Sequence, residues 1–445
     1  MIDALLMAAL LLAAVLLGLR APRRTGGVPA VLVFLSLVAS FLGGGFSFGL
    51  AARSFGLGWP PVVALWGFSL GTVLVGWFVA PRLARFRDCA TVGEVLGRAY
   101  GSAARTAAGV LAAFFCCAVL GAQLRSLALA LGAWLGLGVP LAVAVSAALL
   151  WSLTATGGIR GLLAVAPLQC ALLVVAYAMM LVLGVGRAGG LAHVLSAAPA
   201  FDAAPAALAG SFALFFCGET LAPPYVRSLL LAKDGGAGRK GVVSAGAVSA
   251  VLFVVSGLAG ITARVLLPAI PAESALPALL SAALPAGLRG IGAAGVLSGL
   301  AACGSAYLCA AVDHFRGDVL RAEGRYTLGT DRSRLWLTAL LAAGAAVVAL
   351  LAGDVLGALA LAYSLWAPAV TVPLIAAAFL NRPPKGLFFF CGGAGVVAMA
   401  AWELCGNPMN IPGAVFGIMI SVAVCPAIVA RARRAARPRR SVEVV

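Results

Sequence analysis

The stretch Ala39–Gly58, ASFLGGGFSFGLAARSFGLG, organises the rest of this chain. It lies in an apolar run long enough to cross a bilayer, yet Gly43, Gly44 and Gly45 stand in its middle. A glycine costs about 1 kcal/mol of helix propensity relative to alanine. Unwound backbone inside a bilayer is tolerated only where it is buried in protein or lines a cavity. We therefore predict a helix that breaks near the bilayer midplane and turns carbonyl groups and a half-helix N-terminus toward a ligand.

A second interrupted span occurs at Gly210–Ala232, GSFALFFCGETLAPPYVRSLLLA. Here Gly218, Pro223 and Pro224 supply the break. A glycine triplet alone is weak evidence in a chain with 55 glycines. Two interrupted helices at corresponding positions in two halves of a chain are a much stronger signal, because transporters build their binding sites from such pairs.

The composition indicates a polytopic membrane protein. Of the 445 residues, 63% are hydrophobic and only 10% are charged, which is more apolar surface than a soluble domain can bury. Since a helix needs about 20 apolar residues to cross a bilayer, we predict one transmembrane domain, residues 1–445, with about thirteen spans. These are 2–19, 29–52, 60–81, 106–132, 139–156, 161–186, 205–231, 241–267, 287–313, 335–352, 355–380, 387–404 and 413–430.

The distribution of basic residues predicts the orientation. The net charge is +17, but the basic residues are scattered over short loops, which indicates a lipid bilayer rather than nucleic acid as their partner. With the N-terminus outside, nearly all of the 31 lysines and arginines fall in cytoplasmic loops or in a basic cytoplasmic tail, 431–445. We therefore expect a multi-pass protein of the plasma or inner membrane, with its N-terminus outside and its C-terminus in the cytoplasm. The exceptions are Arg53, Arg125, Arg187, Arg264 and Arg289.

The sequence does not favour an enzyme or a metalloprotein. Its ten cysteines lie mostly inside apolar spans without a CxxC pair, and its two histidines, His193 and His314, are far apart. We find no phosphate-binding loop and no nucleophile with a base partner. We expect no cofactor and no structural metal, and the sequence leaves the oligomeric state open.

The order of the spans predicts an internal repeat. After an extra N-terminal helix at 2–19, five spans in residues 29–186 correspond to five in residues 205–380, and each set begins with an interrupted helix. Because each set has an odd number of spans, the two are expected to be inverted relative to each other. Two C-terminal helices follow in residues 387–430.

Four passages carry a resemblance to a known family. They are APRLARFRDCATVGEVLGRAYG at Ala80–Gly101, TGGIRGLLAVAPLQ at Thr156–Gln169, PPYVRSLLLAKDGGAGRKG at Pro223–Gly241, and AAGVLSGLAACGSAYLCAAVDHFRGD at Ala293–Asp318. In this order and spacing, over roughly residues 30–380, they resemble the sodium:solute symporter family, whose members have the LeuT-like fold. The resemblance implies an all-α 5+5 inverted repeat with broken first and sixth core helices, which transports by alternating access.

The same resemblance suggests a cation site. The family usually binds its cation with carbonyls of the first broken helix, here near Phe41 and Gly44, and with hydroxyls on the eighth core helix, here Ser305. The chain departs from the family in having Ala306 after Ser305, and Val165-Ala166 where the fifth core helix often carries Thr-Asp. Sodium is therefore one candidate coupling ion and a proton is the other.

Glu219 is the central candidate for binding. A charged side chain inside a span is costly and is a functional candidate by default. Glu219 can hold a proton or a cation, or it can be a structural carboxylate paired with an arginine such as Arg125. The full set of predicted substrate-binding residues is Gly43, Gly44, Gly45, Phe46, Gln123, Phe215, Glu219 and Tyr363.

The sequence thus predicts a secondary transporter, a symporter for a small polar organic solute. Carboxylates and amino acids are the first candidates, because half-helix N-termini favour negative charge. Coupling to Na+ is expected if the altered cation site still works. The alternatives are a proton-coupled carrier that uses Glu219 and a non-transporting membrane sensor or scaffold on the same fold.

Overall fold

The computed structural model describes residues 2–20, 27–201, 204–321, 332–351 and 355–435, and nearly all of them are helical. The far end of the predicted tail, residues 436–445, lies outside the described residues. In chain order the helices are α1 (Ile2–Leu19), α2 (Ala30–Phe41), α3 (Gly45–Leu57), α4 (Pro60–Phe86), α5 (Val92–Tyr100), α6 (Ser102–Leu135), α7 (Val139–Ala155), α8 (Gly158–Arg187), α9 (Leu191–Ser196), α10 (Pro205–Gly218), α11 (Pro223–Leu230), α12 (Gly235–Leu266), α13 (Ala275–Ala283), α14 (Leu288–Val319), α15 (Arg332–Leu351), α16 (Val355–Trp366), α17 (Val372–Phe379), α18 (Leu387–Leu404) and α19 (Gly413–Ala435).

The number of spans agrees in part with the prediction. Among the described residues, nine helices are long and apolar enough to cross a membrane, and two bent pairs raise this number to as many as eleven. Two shorter apolar helices, Ile2–Gly18 and Val139–Ala155, coincide with the other two predicted spans. Thirteen spans therefore remain a prediction. Between α7 and α8 the predicted short link is a kink at Gly158, whose φ of 52° and ψ of −155° suit a residue without a Cβ atom.

Both predicted breaks are present. The halves of the first core helix, α2 and α3, meet at an angle of 58°, and those of the sixth, α10 and α11, meet at 42°. Pro223 begins α11, where the lack of an N–H is harmless because the first turn leaves that group without a helical partner. The two broken helices are also joined to each other. Val28 N donates to Leu231 O and Lys233 N donates to Val28 O, both at 2.8 Å.

The eighth core helix, α14, runs through the centre of the bundle. Of its most apolar window 94% is buried, against 22% for α15. Small residues permit this: a Cβ atom added at Gly295 or Gly299 would collide with α8 at Leu172 or Leu173. The helix that carries the predicted Ser305 therefore lies inside the protein and is shielded from lipid.

Arginine side chains make long-range contacts at one end of the bundle. There Arg87 donates to the carbonyl of Lys233, and Arg105 Nε lies 3.0 Å from Asp318 Oδ1. We call this the basic end. The chain enters α4 from the opposite end, at Pro60.

Candidate functional site

The glycine triplet of the first core helix is a point of close contact between helices. A Cβ atom added at any of the three glycines would collide with a neighbour. The neighbours are Cys303 of α14 at Gly43, Ser126 of α6 at Gly44, and Leu359 of α16 at Gly45. The sequence predicted unwinding here, and the structure supplies a second reason for glycine: three helices approach the backbone more closely than any side chain allows.

Gln123 satisfies the unwound backbone. Its Oε1 accepts a hydrogen bond of 2.5 Å from Gly44 N, and both groups are buried. Gly43 O accepts from Ser47 Oγ at 2.7 Å, and Gly44 O accepts from Gly49 N at 2.9 Å. The predicted residues Gly43, Gly44 and Gln123 are thus brought together: Gly44 bonds to Gln123, and the carbonyls of Gly43 and Gly44 bond to Ser47 and Gly49 of the following turn.

Glu219 lies at the break of the sixth core helix and is only 4% exposed. Its Oε1 accepts hydrogen bonds from Tyr225 at 3.0 Å and from Tyr307 at 2.5 Å, and its Oε2 accepts from Tyr363. These tyrosines belong to α11, α14 and α16, so one carboxylate joins the sixth, eighth and tenth core helices. Of the three, only Tyr363 was predicted. Tyr225, six residues after Glu219 and directly after two prolines, was the one sequence signal available for the others.

Glu219 has no cationic partner among the described residues. The suggested pairing with Arg125 is not formed, because all three hydrogen-bond partners of the carboxylate are tyrosines. The Nε atom of Arg125 is itself buried without an acceptor in the described parts of the chain. Three neutral hydroxyls satisfy the lone pairs of a buried carboxylate, but they do not supply the opposite charge that usually accompanies a buried ion.

Aromatic rings surround the two breaks. Each ring of this aromatic cluster contacts at least one other, with centroids 4.9 to 6.4 Å apart. The rings of Phe215 and Phe46, both of which were predicted, have centroids 6.1 Å apart. The members of the cluster are Phe41, Phe46, Phe68, Phe115, Phe215, Tyr225, Phe253, Tyr307, Tyr363 and Trp366.

A cavity of about 210 Å³ lies on the side of the breaks away from the basic end. We call it the vestibule. Gly45, Phe215 and Tyr363, all predicted, line it together with Ser211 and Arg53. Because Tyr363 also bonds to Glu219, its hydroxyl connects the vestibule with the buried carboxylate.

A smaller cavity lies between α2, α8, α11 and α14. Its lining includes Ala166, Ala302 and Ala306, the amide of Gln169 and the guanidinium-bearing Arg227. The predicted cation ligands Phe41, Gly44 and Ser305 line neither this cavity nor the vestibule. The hydroxyl of Ser305 is buried and has no hydrogen-bond partner in the part of the chain that the structure describes. The cavity thus has no side-chain oxygen at Ala166, Ala302 and Ala306, and its hydroxyl groups are those of Ser36, Ser40, Tyr225 and Ser228.

Arg227 belongs to a buried ionic triad at the basic end. Its Nη1 contacts Asp313 Oδ2, and Arg334 Nη1 lies 3.4 Å from Asp313 Oδ1. Arg227 and Asp313 have exposed side-chain fractions of only 5% and 11%. The triad connects the second half of the broken sixth helix to α14 and α15.

A second buried network lies nearby around Asp318, which is fully buried. Thr91 Oγ1 donates to it at 2.9 Å, and His314 Nδ1 lies 2.8 Å away. The Thr91-x-x-Glu94 sequence caps α5 in the manner of a capping box: Glu94 N donates to Thr91 Oγ1 at 3.0 Å, and the Glu94 carboxylate accepts from Ala90 N, one residue before the N-cap, at 2.7 Å. This motif of the family resemblance is thus a structural one, which starts α5 and fastens it to α14.

Comparison with known proteins agrees with the fold. The chain is similar to a Na+-coupled sialic acid symporter in a substrate-bound outward-open state, with a TM-score of 0.78 and 15% identity over 96% of this chain and 98% of that one. It is also similar to Mhp1, a nucleobase-cation-symport-1 family transporter, in a closed conformation with bromovinylhydantoin bound: TM-score 0.64, 15% identity, 92% and 95% of the two chains. The inward-facing conformation of Mhp1 gives a TM-score of 0.59 at 16% identity, over 93% and 95% of the chains.

At these identities the similarity to solved structures shows the fold alone, a LeuT-like one. A search of curated protein sequences finds no match. The sequence profile of the sodium:solute symporter family, however, matches residues 21–385. The predicted family, the all-α fold with two broken core helices, and transport rather than catalysis are therefore confirmed. This chain belongs to the sodium:solute symporter family and is a multi-pass secondary transporter.

Proposed function

We propose that this protein moves a small organic solute by alternating access, with the solute site at the two helix breaks, and that Glu219 takes up a proton as the coupling ion. One observation carries the proposal. Glu219 is a buried carboxylate at a helix break, bonded to three tyrosine hydroxyls and without a cationic partner among the described residues. A buried ionisable group inside a span is costly, and in transporters such groups mark proton and ion pathways.

The hydrogen bonds support a specific path for the proton. Oε1 already accepts from Tyr225 and Tyr307, whereas Oε2 accepts from Tyr363 alone. Oε2 is thus the oxygen with room for a proton, and Tyr363 then changes from donor to acceptor. Since Tyr363 lines the vestibule, a proton reaches Glu219 from that side through a single hydroxyl.

Coupling to Na+ is the second candidate. Family membership favours it, and the buried hydroxyl of Ser305, without a partner in the described residues, is an oxygen that a cation can use. The composition of the smaller cavity favours the proton instead. At Ala166 and Ala306, where the family resemblance implies oxygen-bearing side chains, the cavity offers none, and its hydroxyls belong to other positions, such as Ser36, Ser40 and Ser228. A hard cation such as Na+ prefers several oxygen ligands.

We also propose the orientation. With the N-terminus outside, the basic end faces the cytoplasm and the vestibule opens to the exterior, because the vestibule lies at the Pro60 end of α4. The excess of basic residues on the proposed cytoplasmic side supports this orientation. The protein is then a component of the cell membrane that accepts its solute from outside.

The first test is thermal stability of the purified protein in increasing NaCl, with KCl at matched ionic strength as the control. An ion that binds only the folded state stabilises it by RT ln(1 + [L]/Kd), or about 2.7 kcal/mol at a hundredfold excess over Kd. We expect identical melting curves in the two salts. A rise in melting temperature that is specific to Na+ and is lost in Ser305→Ala would establish sodium binding and contradict the proposal.

Transport itself is tested in proteoliposomes with a panel of labelled amines, amino acids and carboxylates. We expect solute movement driven by an imposed pH gradient, unchanged when K+ replaces Na+, and lost in Glu219→Gln. Ser305→Ala is the matched control in the predicted sodium site and should transport normally.

A further inference from the structure

We infer that the solute is a small organic cation, a substituted amine or quaternary ammonium, and that it and the proton occupy Glu219 in turn. The inference rests on the proposed function and names the substrate class of the same site. It differs from the carboxylate or amino acid that the sequence suggested, and three features of the site carry it.

The first feature is charge. The carboxylate of Glu219 is 4% exposed and its hydrogen-bond partners are three neutral hydroxyls. Ion pairs such as Arg227 with Asp313 and Arg105 with Asp318 lie at the basic end, away from Glu219. The centre of the site thus has a negative charge without a fixed counter-charge in the described residues. A ligand with one positive charge neutralises this carboxylate, whereas a carboxylate ligand adds a second buried negative charge at a high free-energy cost.

The second feature is the surrounding rings. The three tyrosines that hold Glu219 are themselves members of the aromatic cluster. Phe115 packs at 6.1 Å from Tyr307 and at 6.0 Å from Tyr363. Phe215 packs at 6.4 Å from Tyr363 on the vestibule side. An alkylated ammonium group next to a carboxylate and several aromatic faces gains cation–π attraction of about 0.5–2 kcal/mol per favourable ring. A neutral polar solute gains nothing comparable.

The third feature is the route. The vestibule is lined largely by apolar side chains, including Leu214, Leu359 and Phe215, and its volume of about 210 Å³ suits a small ligand. Tyr363 stands between this space and Glu219 Oε2. An ammonium group reaches the carboxylate when the Tyr363 hydroxyl leaves Oε2. Arg53 also lines the vestibule, but it is exposed, so water screens its repulsion of an incoming cation.

Glu219 can be neutralised in two ways that exclude each other. A proton neutralises Glu219 by forming an O–H bond, and an organic cation neutralises it by an ion pair. One carboxylate supports only one of these at a time, so binding of the cation releases the proton of a protonated Glu219. The site therefore exchanges an organic cation for a proton, and the two compete.

The test is calorimetric binding to the full-length purified protein. The probes are tetramethylammonium, choline and ethylammonium chloride, each compared with a neutral molecule of the same shape, such as 3,3-dimethylbutanol for choline. Titrations in two buffers with different ionisation enthalpies count the protons released. We expect at least one cation to bind tenfold or more tightly than its neutral counterpart, to release up to one proton, and to bind more weakly as the pH falls.

Two variants complete the test. Glu219→Gln should abolish cation binding and proton release while it keeps the wild-type elution profile. Phe115→Leu keeps the carboxylate and should weaken tetramethylammonium binding several-fold more than ethylammonium binding, because the larger cation depends more on the rings. If no cation binds better than its neutral counterpart, or if Glu219→Gln binds as wild type does, the inference is overturned. That outcome leaves proton coupling intact as long as the Na+ and K+ melting curves coincide, whereas a Na+-specific shift overturns the proposed function itself.

Discussion

Tyr307 donates a hydrogen bond of 2.5 Å to Oε1 of Glu219 and thereby ties the unbroken eighth core helix to the break of the sixth. Tyr307 is fully buried and Glu219 nearly so. Alternating access requires the broken helices to change their position relative to the rest of the bundle. The Tyr307–Glu219 bond joins a moving helix to a stationary one, and Glu219 is the group that we expect to change its charge. Binding of a proton or a solute at Glu219 therefore changes the strength of this bond and can influence the movement.

Tyr307→Phe should therefore lower both stability and coupling. The change removes one donor from a buried carboxylate without altering the packing of the ring, and a hydrogen bond of this kind contributes about 1–3 kcal/mol. We expect a lower melting temperature and a weaker dependence of transport on the pH gradient.

Tyr100→Phe is the matched control for this experiment. It makes the same chemical change in a buried tyrosine whose hydroxyl donates to a neutral group, the carbonyl of Pro373, at 2.8 Å. It should cost some stability and leave the pH dependence unchanged. Equal effects of the two variants on pH dependence would assign Tyr307 a purely structural role.

Gly44→Ala should prevent normal folding. The added methyl group would overlap with the side chain of Ser126 and approach the carbonyl of Ala122, in a place fixed by the bond from Gly44 N to Gln123. Gly56→Ala in α3 is the control, because no atom lies within 4 Å of a Cβ there. Expression level and monodispersity in size-exclusion chromatography report the result. We expect a severe loss for Gly44→Ala, partial rescue by Ser126→Gly, and no loss for Gly56→Ala; normal folding of Gly44→Ala would contradict the close approach.

The sequence predicts the helix breaks well because their causes are local. Glycine triplets and adjacent prolines disfavour a continuous helix wherever they stand, and the structure bends the chain at both places. Glu219 is conspicuous for a similar reason, since its charge is unusual in an apolar span. These features need no knowledge of which helices are neighbours.

The hydrogen-bond partners of Glu219 could not be predicted in the same way. Tyr307 lies 88 residues away along the chain. Whether it reaches Glu219 depends on how α14 is positioned along its axis relative to the sixth core helix. A tyrosine in an apolar span also satisfies the pattern of an interfacial aromatic residue. The predicted cation set of Phe41, Gly44 and Ser305 depends on the same inter-helix register, and it stays a prediction.

Asp313→Ala should destabilise the basic end strongly. It leaves Arg227 and Arg334 without their shared carboxylate, and removing one partner of a buried ion pair costs about 3–5 kcal/mol. Asp88→Ala removes the partner of Arg98 in an exposed pair, with exposed fractions of 53% and 63%, and should change the melting temperature little. Because the triad joins the sixth helix to α14 and α15, Asp313→Ala should also make Cys309, whose Sγ lies 3.2 Å from Arg227 Nη1, react faster with thiol reagents. Melting curves that coincide for the two variants would show that the triad does not hold the basic end together.

Cys89 and Cys405 test the orientation of the chain. Cys405 follows α18 and is exposed, whereas Cys89 lies in the loop after α4 at the basic end. In variants that retain one of the two cysteines, a membrane-impermeant maleimide applied to intact cells should label Cys405 and leave Cys89 unlabelled. Labelling of Cys89 from outside would reverse the proposed topology.

In opened membranes Cys89 should become accessible but react slowly. Burial, together with the negative charges of Asp88 and Glu94, raises the pKa of the Cys89 thiol to about 11. Because the thiolate is the reactive form, its labelling rate should increase about tenfold per pH unit up to that pKa. Asp88→Asn removes one of these negative charges and should lower the pKa, so that labelling at neutral pH becomes faster. A labelling rate that levels off near pH 9, as expected for an ordinary thiol, would contradict a raised pKa.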